Sequence, residues 1–136
     1  MHSYHVEVRI VGENLDLDDI SSRLNLRPTQ TRKKGEHKSD TSTWTKDMWS
    51  LEVLPPTGNA WDSLEMALRA LLGKIASHRD VIQSLGGAEG IVIWCGHFAS
   101  SFNGGPSLSP DLLGMLGNFG AQLVIDTYCD RLHSTD

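Results

Sequence analysis

Val6, Val8 and Ile10 alternate with His5, Glu7 and Arg9, and this period of two predicts a strand from His5 to Val11 with one buried and one polar face. Gly12 ends it. Leu17, Ile20 and Leu24 then fall at helical spacing behind Asp16, a good N-cap, with Asp18 and Asp19 in a first turn where acids suit the helix dipole. Pro28 stops this helix, because it disfavours helical geometry at Arg27. The stretch from Pro28 to Thr41 is polar, basic and without period, and reads as one long loop. From Thr43 to Val53 the alternation returns, with Trp49, Leu51 and Val53 set against Ser50 and Glu52, and Lys46-Asp47 would split the stretch into a hairpin. Leu54-Pro55-Pro56-Thr57-Gly58 breaks the chain.

Trp61, Leu64, Leu68, Leu71 and Ile75 recur at helical spacing and predict a long helix with one buried face. Ser77, with Asp80 three residues on, reads as a second helix start of the capping-box kind; Val81, Ile82 and Leu85 continue the apolar face and Gly86-Gly87 stops it. Ile91 to Phe98 is almost continuously apolar, the pattern of a strand covered on both faces. Ser109-Pro110-Asp111 opens a further helix with a cap and a first-position proline, Gly120 closes it, and Leu123 to Tyr128 forms the last strand. The tail beyond Asp130 is polar and expected to fray.

Leu15-Asp16-Leu17-Asp18 and Leu108-Ser109-Pro110-Asp111 each follow a strand and open a short helix. The expected fold is therefore α+β: a single domain over 1–136, ordered from about 4 to 130, forming a two-layer sandwich. Its sheet has four or five strands, mixed or antiparallel, with helices packed on one face. Two β-α-β-like halves are joined by the long helix, loosely in the ferredoxin manner. The predicted core runs from Val6, Val8 and Ile10 through Trp49, Leu51 and Leu68 to Leu123 and Ile125.

Composition narrows the class. The chain has 136 residues, enough for one domain with a real core, and a net charge of −5 from 12 Lys+Arg and 17 Asp+Glu. No apolar run suggests a membrane span, no signal-peptide pattern opens the chain, and two cysteines inside strand-like segments suit a cytosolic setting. The charge is uneven. Arg27 to Lys38 holds Arg27, Arg32, Lys33, Lys34 and Lys38 against Glu36 alone, which leaves 7 cations and 16 anions elsewhere. Such an acidic body argues against general nucleic-acid binding but allows one local anion-binding loop.

Several short motifs occur in order: Gly12 with Leu15-Asp16-Leu17-Asp18-Asp19-Ile20, Pro28-Thr29, Lys34-Gly35-Glu36, Trp49-Ser50-Leu51-Glu52, Leu108-Ser109-Pro110-Asp111-Leu112-Leu113, and Leu123-Val124-Ile125-Asp126-Thr127-Tyr128. From about Val6 to Tyr128 the chain resembles a bacterial family of small single-domain proteins, the domain-of-unknown-function family 4279. It departs from the family pattern at Asp47, where a Gly is expected, and at Leu17, where Pro is frequent. The resemblance implies an α+β fold and a bacterial source, and brings no activity with it.

Four kinds of chemistry compete with plainer readings. The basic loop, with Arg27, Arg32, Lys33, Lys34 and Lys38, would clamp a phosphate, a carboxylate or an acidic partner, and Gly35 would let backbone N–H groups approach. Its plain alternative is a solvated loop, and no aromatic interleaves with the cations to support base stacking. The polar sheet face offers Arg9, Trp94, His97, Asp126 and Tyr128 as a ligand surface, against a merely solvated face. Cys95 and His97, two apart on one strand face, could share an ion, but zinc needs further ligands that no motif supplies, so no metal or cofactor is assigned. Asp126 with His97 would make an acid–base pair if adjacent strands joined them; no nucleophile elbow, P-loop or dinucleotide fingerprint is present, and no catalytic residue is assigned. The reading that follows is a non-catalytic binding module of the bacterial cytosol, recognising a protein partner or an anionic ligand. The alternatives are a small-molecule sensor or enzyme with a cleft near Asp126 and His97, and a homodimer that hides the polar-aromatic face.

Overall fold

Strand β1 (His2–Gly12) runs through the middle of the sheet, and its side chains alternate between buried and half-buried along its length. The computed structural model describes residues 1–129, and of 86–89 the backbone alone; the polar tail from Asp130, with His133, lies outside the described residues. Helix α1 (Leu17–Leu24) starts where expected: the Asp16 carboxylate accepts from the Asp19 N–H at 3.0 Å. It ends on Asn25 in the left-handed region, at φ 52°.

The stretch expected as one loop is built otherwise. It contains an edge strand, β2 (Gln30–Arg32), and a small hairpin of β3 (His37–Ser39) and β4 (Ser42–Thr43). Asp47 organises it. Its buried carboxylate accepts the Lys34 N–H at 2.7 Å and the Leu15 N–H at 2.9 Å, tying the basic turn to the start of α1. These N–H bonds, Lys34 first, hold the Asp47 pKa below the usual carboxylate range. Lys46-Asp47 forms no hairpin turn; Asp47 is the first residue of β5 (Asp47–Val53).

The long helix and the second helix start give two helices. Helix α2 (Leu64–Ile75), capped by Ser63, is followed by a 3-10 turn over 76–78 and by α3 (Arg79–Gly90). His78 stands at the N-cap of α3 with no side-chain cap bond, so the Ser77–Asp80 capping box does not form, and α3 runs past Gly86-Gly87 to Gly90. Trp61 precedes α2. It pairs through its backbone with Tyr4, and its indole donates to the Val53 carbonyl at 2.9 Å. Strand β6 (Ile91–Ala99), helix α4 (Pro110–Phe119) and strand β7 (Gln122–Cys129) follow, with Ser109 capping α4 and Gly120 closing it at φ 85°.

The architecture is α+β, a two-layer arrangement of a five-stranded mixed sheet and helices, with a separate two-stranded hairpin. The sheet order is β2-β5-β1-β6-β7. All neighbours are antiparallel except β6 and β7, which are parallel and joined by α4. Only the second half is thus a true β-α-β crossover; in the first, β1 and β5 lie antiparallel. The helices lie chiefly over β1, β5 and β6. Val6, Val8, Ile10, Trp49, Ile93 and Cys95 meet Leu68, Leu71 and Ile75 there, all fully or almost fully buried. Ile125, expected in this core, is 42% exposed, because β7 is the outer strand and the helix layer stops short of it. Leu123 is half-buried against the core edge. Strand β6 carries helices on one side only, and its other side shows Val92, Trp94 and Phe98.

Candidate functional site

Register assigns the uncovered face. Glu7 lies opposite both Glu52 and Trp94, Arg9 opposite Ser50, and His5 opposite Gly96, which in turn faces Asp126; Phe98 lies opposite Tyr128. Residues directly opposed share a face, so these side chains all stand on the side without helices. The polar face expected from strand alternation is therefore assembled for Arg9, Trp94, Asp126 and Tyr128.

Their contacts form a ladder across the strands. Arg9 lies over the Trp94 ring at 4.5 Å and binds Glu7 through Nε at 2.7 Å and Nη2 at 2.6 Å. The Trp94 indole N–H donates to Asp126 Oδ2 at 2.6 Å. His5 Nδ1 donates to Glu52 Oε2 at 3.0 Å and meets Phe98 edge-on, and Phe98 stacks on Tyr128. Glu7 and Glu52 are like charges set directly opposite, an arrangement that costs free energy unless partners answer it; Arg9 pairs with the first and the His5 N–H hydrogen-bonds the second. Gly96 makes room for the rings: a Cβ there would come within 2.7 Å of Trp94 and 3.1 Å of Phe98. A depression of about 320 Å³ lies among His5, Glu7, Arg9, Glu52, Trp94 and Phe98.

His97 is not part of this face. It is paired with Tyr4 and Thr127, one step from the Gly96–Asp126 pair, so it points to the opposite side of the sheet and is 5% exposed. There it stacks on Tyr4 and His2. Its contacts run in series: His2 Nε2–H donates to the Asn103 carbonyl (2.7 Å), His2 Nδ1 and His97 Nε2 share a hydrogen bond (2.8 Å), and His97 Nδ1 pairs with the Thr127 hydroxyl (3.2 Å). Burial, and then the neighbouring His2, lower the His97 pKa. The sheet itself thus separates Asp126 from His97, and no acid–base pair or shared cleft joins them. Cys95 sits on the same face as His97, buried, with its thiol pushed up to about 12. Among the described residues, no three His, Cys, Asp or Glu side chains converge as a metal site.

The five loop cations are dispersed. Arg27 is exposed ahead of β2. Lys33 lines a hollow of about 610 Å³ beside Thr31, Asn14 and Asp16 on the α1 side. Lys34 reaches Glu13 at 3.3 Å. Arg32, alternating with Thr31 and Lys33, turns to the open face opposite Met48. Its guanidinium lies 3.9 Å from the Trp44 ring centroid, and Lys38 Nζ lies 5.0 Å from the same centroid. The expectation that no aromatic accompanies these cations is corrected here: the return of the β3–β4 hairpin carries Trp44 back to them. The odd spacing of Trp44 from Trp49 was the available signal, placing it off the core face. Nothing local marked Asp47, whose role depends on Leu15 and Lys34 from two other segments.

The chain matches the profile of the domain of unknown function DUF4279 over residues 2–130. It belongs to the DUF4279 family. Among curated proteins and among solved structures nothing matches it. This DUF4279 chain has, among the described residues, no helix long and apolar enough to cross a membrane. DUF4279 membership assigns no residue, so the site stands on geometry alone.

Proposed function

We propose that this chain is a non-catalytic binding module of the bacterial cytosol whose open sheet face receives a protein partner or a small anionic ligand. One observation carries this reading: a five-stranded sheet with helices on one side presents, on the other, a continuous ladder of charged and aromatic side chains around a depression of about 320 Å³. Such a face supplies stacking area from Trp94, Phe98 and Tyr128 and orientation from Arg9, Glu52 and Asp126. The separation of Asp126 from His97 supports binding over acid–base chemistry.

Thermal-shift screening against carboxylates, phosphates and acidic peptides tests it. The expected result is a ligand that raises Tm for the native chain and loses that effect in Trp94→Leu and Arg9→Gln. A panel in which no compound stabilises the native chain, or every hit stabilises both variants equally, removes the face from consideration. A second copy of the chain is a competing occupant, favoured by the exposure of Phe98 (40%) and Tyr128 (51%) at one end of the face. Sedimentation at low micromolar concentration separates the two: a dimer that dissociates on Tyr128→Lys supports self-association.

A further inference from the structure

Arg32 is a half-buried cation that the described residues leave unanswered. Arg9, Arg69 and Arg79 each reach a carboxylate, at 2.6, 3.0 and 3.1 Å respectively. Among the described residues Arg32 reaches none. Its one side-chain hydrogen bond, Nη2 to Gln30 Oε1, is 3.5 Å long, and its Nε is buried with no partner. Its surroundings are also of the wrong sign. Lys38 shares the Trp44 ring with it, and Arg9 stands on the same sheet face close enough to oppose its charge. Glu7, a carboxylate whose charge acts on it, is already held by Arg9. A partly desolvated guanidinium with one long hydrogen bond, an unpaired buried Nε and like charges around it costs a fold free energy that an anion would offset.

We infer that Arg32, backed by Trp44 and flanked by Lys38, is the seat of an oxyanion, a carboxylate or phosphate group carried by the ligand or partner of the open face. The chemistry fits the residue type. The planar fork takes two oxygens side by side, and the indole holds it flat so that little side-chain freedom is lost on binding. Lys38 adds charge without geometry. Arg27, Lys33 and Lys34 are outside the seat, since Lys33 lies on the α1 side and Lys34 is paired with Glu13. This inference rests on the reading of the open face as a binding surface, and adds to it the group recognised and the place.

The two tryptophans allow the two claims to be tested apart, Trp44 at the cationic edge and Trp94 at the centre of the face. The indole N–H resonances of both are followed by NMR while inorganic phosphate, acetate or chloride is added at matched ionic strength. A saturable shift at Trp44 with phosphate or acetate, beyond that with chloride, is expected. Arg32→Gln should abolish it, and Arg32→Lys, which keeps the charge and loses the fork, should weaken it about tenfold, the scale of one charge-assisted hydrogen bond. Lys34→Gln should leave it unchanged. Response to phosphate alone, to acetate alone or to both identifies the oxyanion. A Trp44 shift that chloride reproduces, or that survives in Arg32→Gln with its amide spectrum otherwise intact, overturns the inference. A ligand from the thermal-shift panel that moves Trp94 and not Trp44 overturns it too, while leaving the open-face reading in place.

Discussion

His97 is one residue beyond Gly96, and that step decides which side of the sheet it serves. The alternation of β1 was readable because its two faces differ in polarity; in β6 both faces are apolar, so the sequence offered no contrast by which to orient His97. Register with Tyr4 and Thr127 supplies the answer. A pH dependence follows. The fold holds the His97 pKa below its ordinary value of 6.5. As pH falls through that value the unfolded chain takes up the proton first, so stability is full above it and declines towards the folded-state pKa. Urea midpoints measured from pH 8 to pH 5 should therefore fall, and His97→Gln, which keeps hydrogen-bonding capacity without titrating, should flatten part of the fall. An unchanged slope in that variant would show that His97 is not its source.

At the scale of elements, segments with a clean period were legible and segments defined by distant partners were not. Helix α1 and helix α4 carry their own caps, Asp16 and Ser109, and were placed from local signals. Strands β2 to β4 lack an apolar period because β2 is an edge strand of three residues and the β3–β4 hairpin is exposed. What organises them is Asp47, through bonds to Lys34 and Leu15. Asp47→Asn should lower Tm and speed amide exchange at Lys34 and Leu15. In the native chain these amides should lose protection on acidification, since the depressed Asp47 pKa makes its contribution present above the usual carboxylate range and lost as pH falls through the folded value. The join of α3 to β6 has a steric condition: a Cβ on Gly90 would lie 2.7 Å from the Val11 carbonyl oxygen. Gly90→Ala should therefore destabilise by about 1–3 kcal/mol, the range for overpacking, measured by chemical denaturation. Ile125→Lys, on the half-covered edge strand, should change stability by no more than about 0.5 kcal/mol; a larger loss would mean that β7 is buried in solution.

Over the whole molecule, one helix layer over one sheet makes a single core, with Leu68 fully buried on the sheet-facing side of α2. Leu68→Ala should cost about 2–5 kcal/mol and lower one cooperative transition; two separable transitions would contradict a single domain. The sequence by itself determined the elements that carry a clean period, the buried face of those whose two sides differ in polarity, and the class of fold, because periods of two and near four report directly which side chains leave water. It also marked the polar side of β1 and β5, where charged residues alternate with apolar ones. Tertiary structure alone decided the strand order, the exposure of Ile125, the division of Asp126 from His97 and the meeting of Arg32 with Trp44. These depend on which strands become neighbours and which edge is left uncovered. Such pairings join residues far apart in the chain, and no local pattern of apolar and polar positions encodes their register.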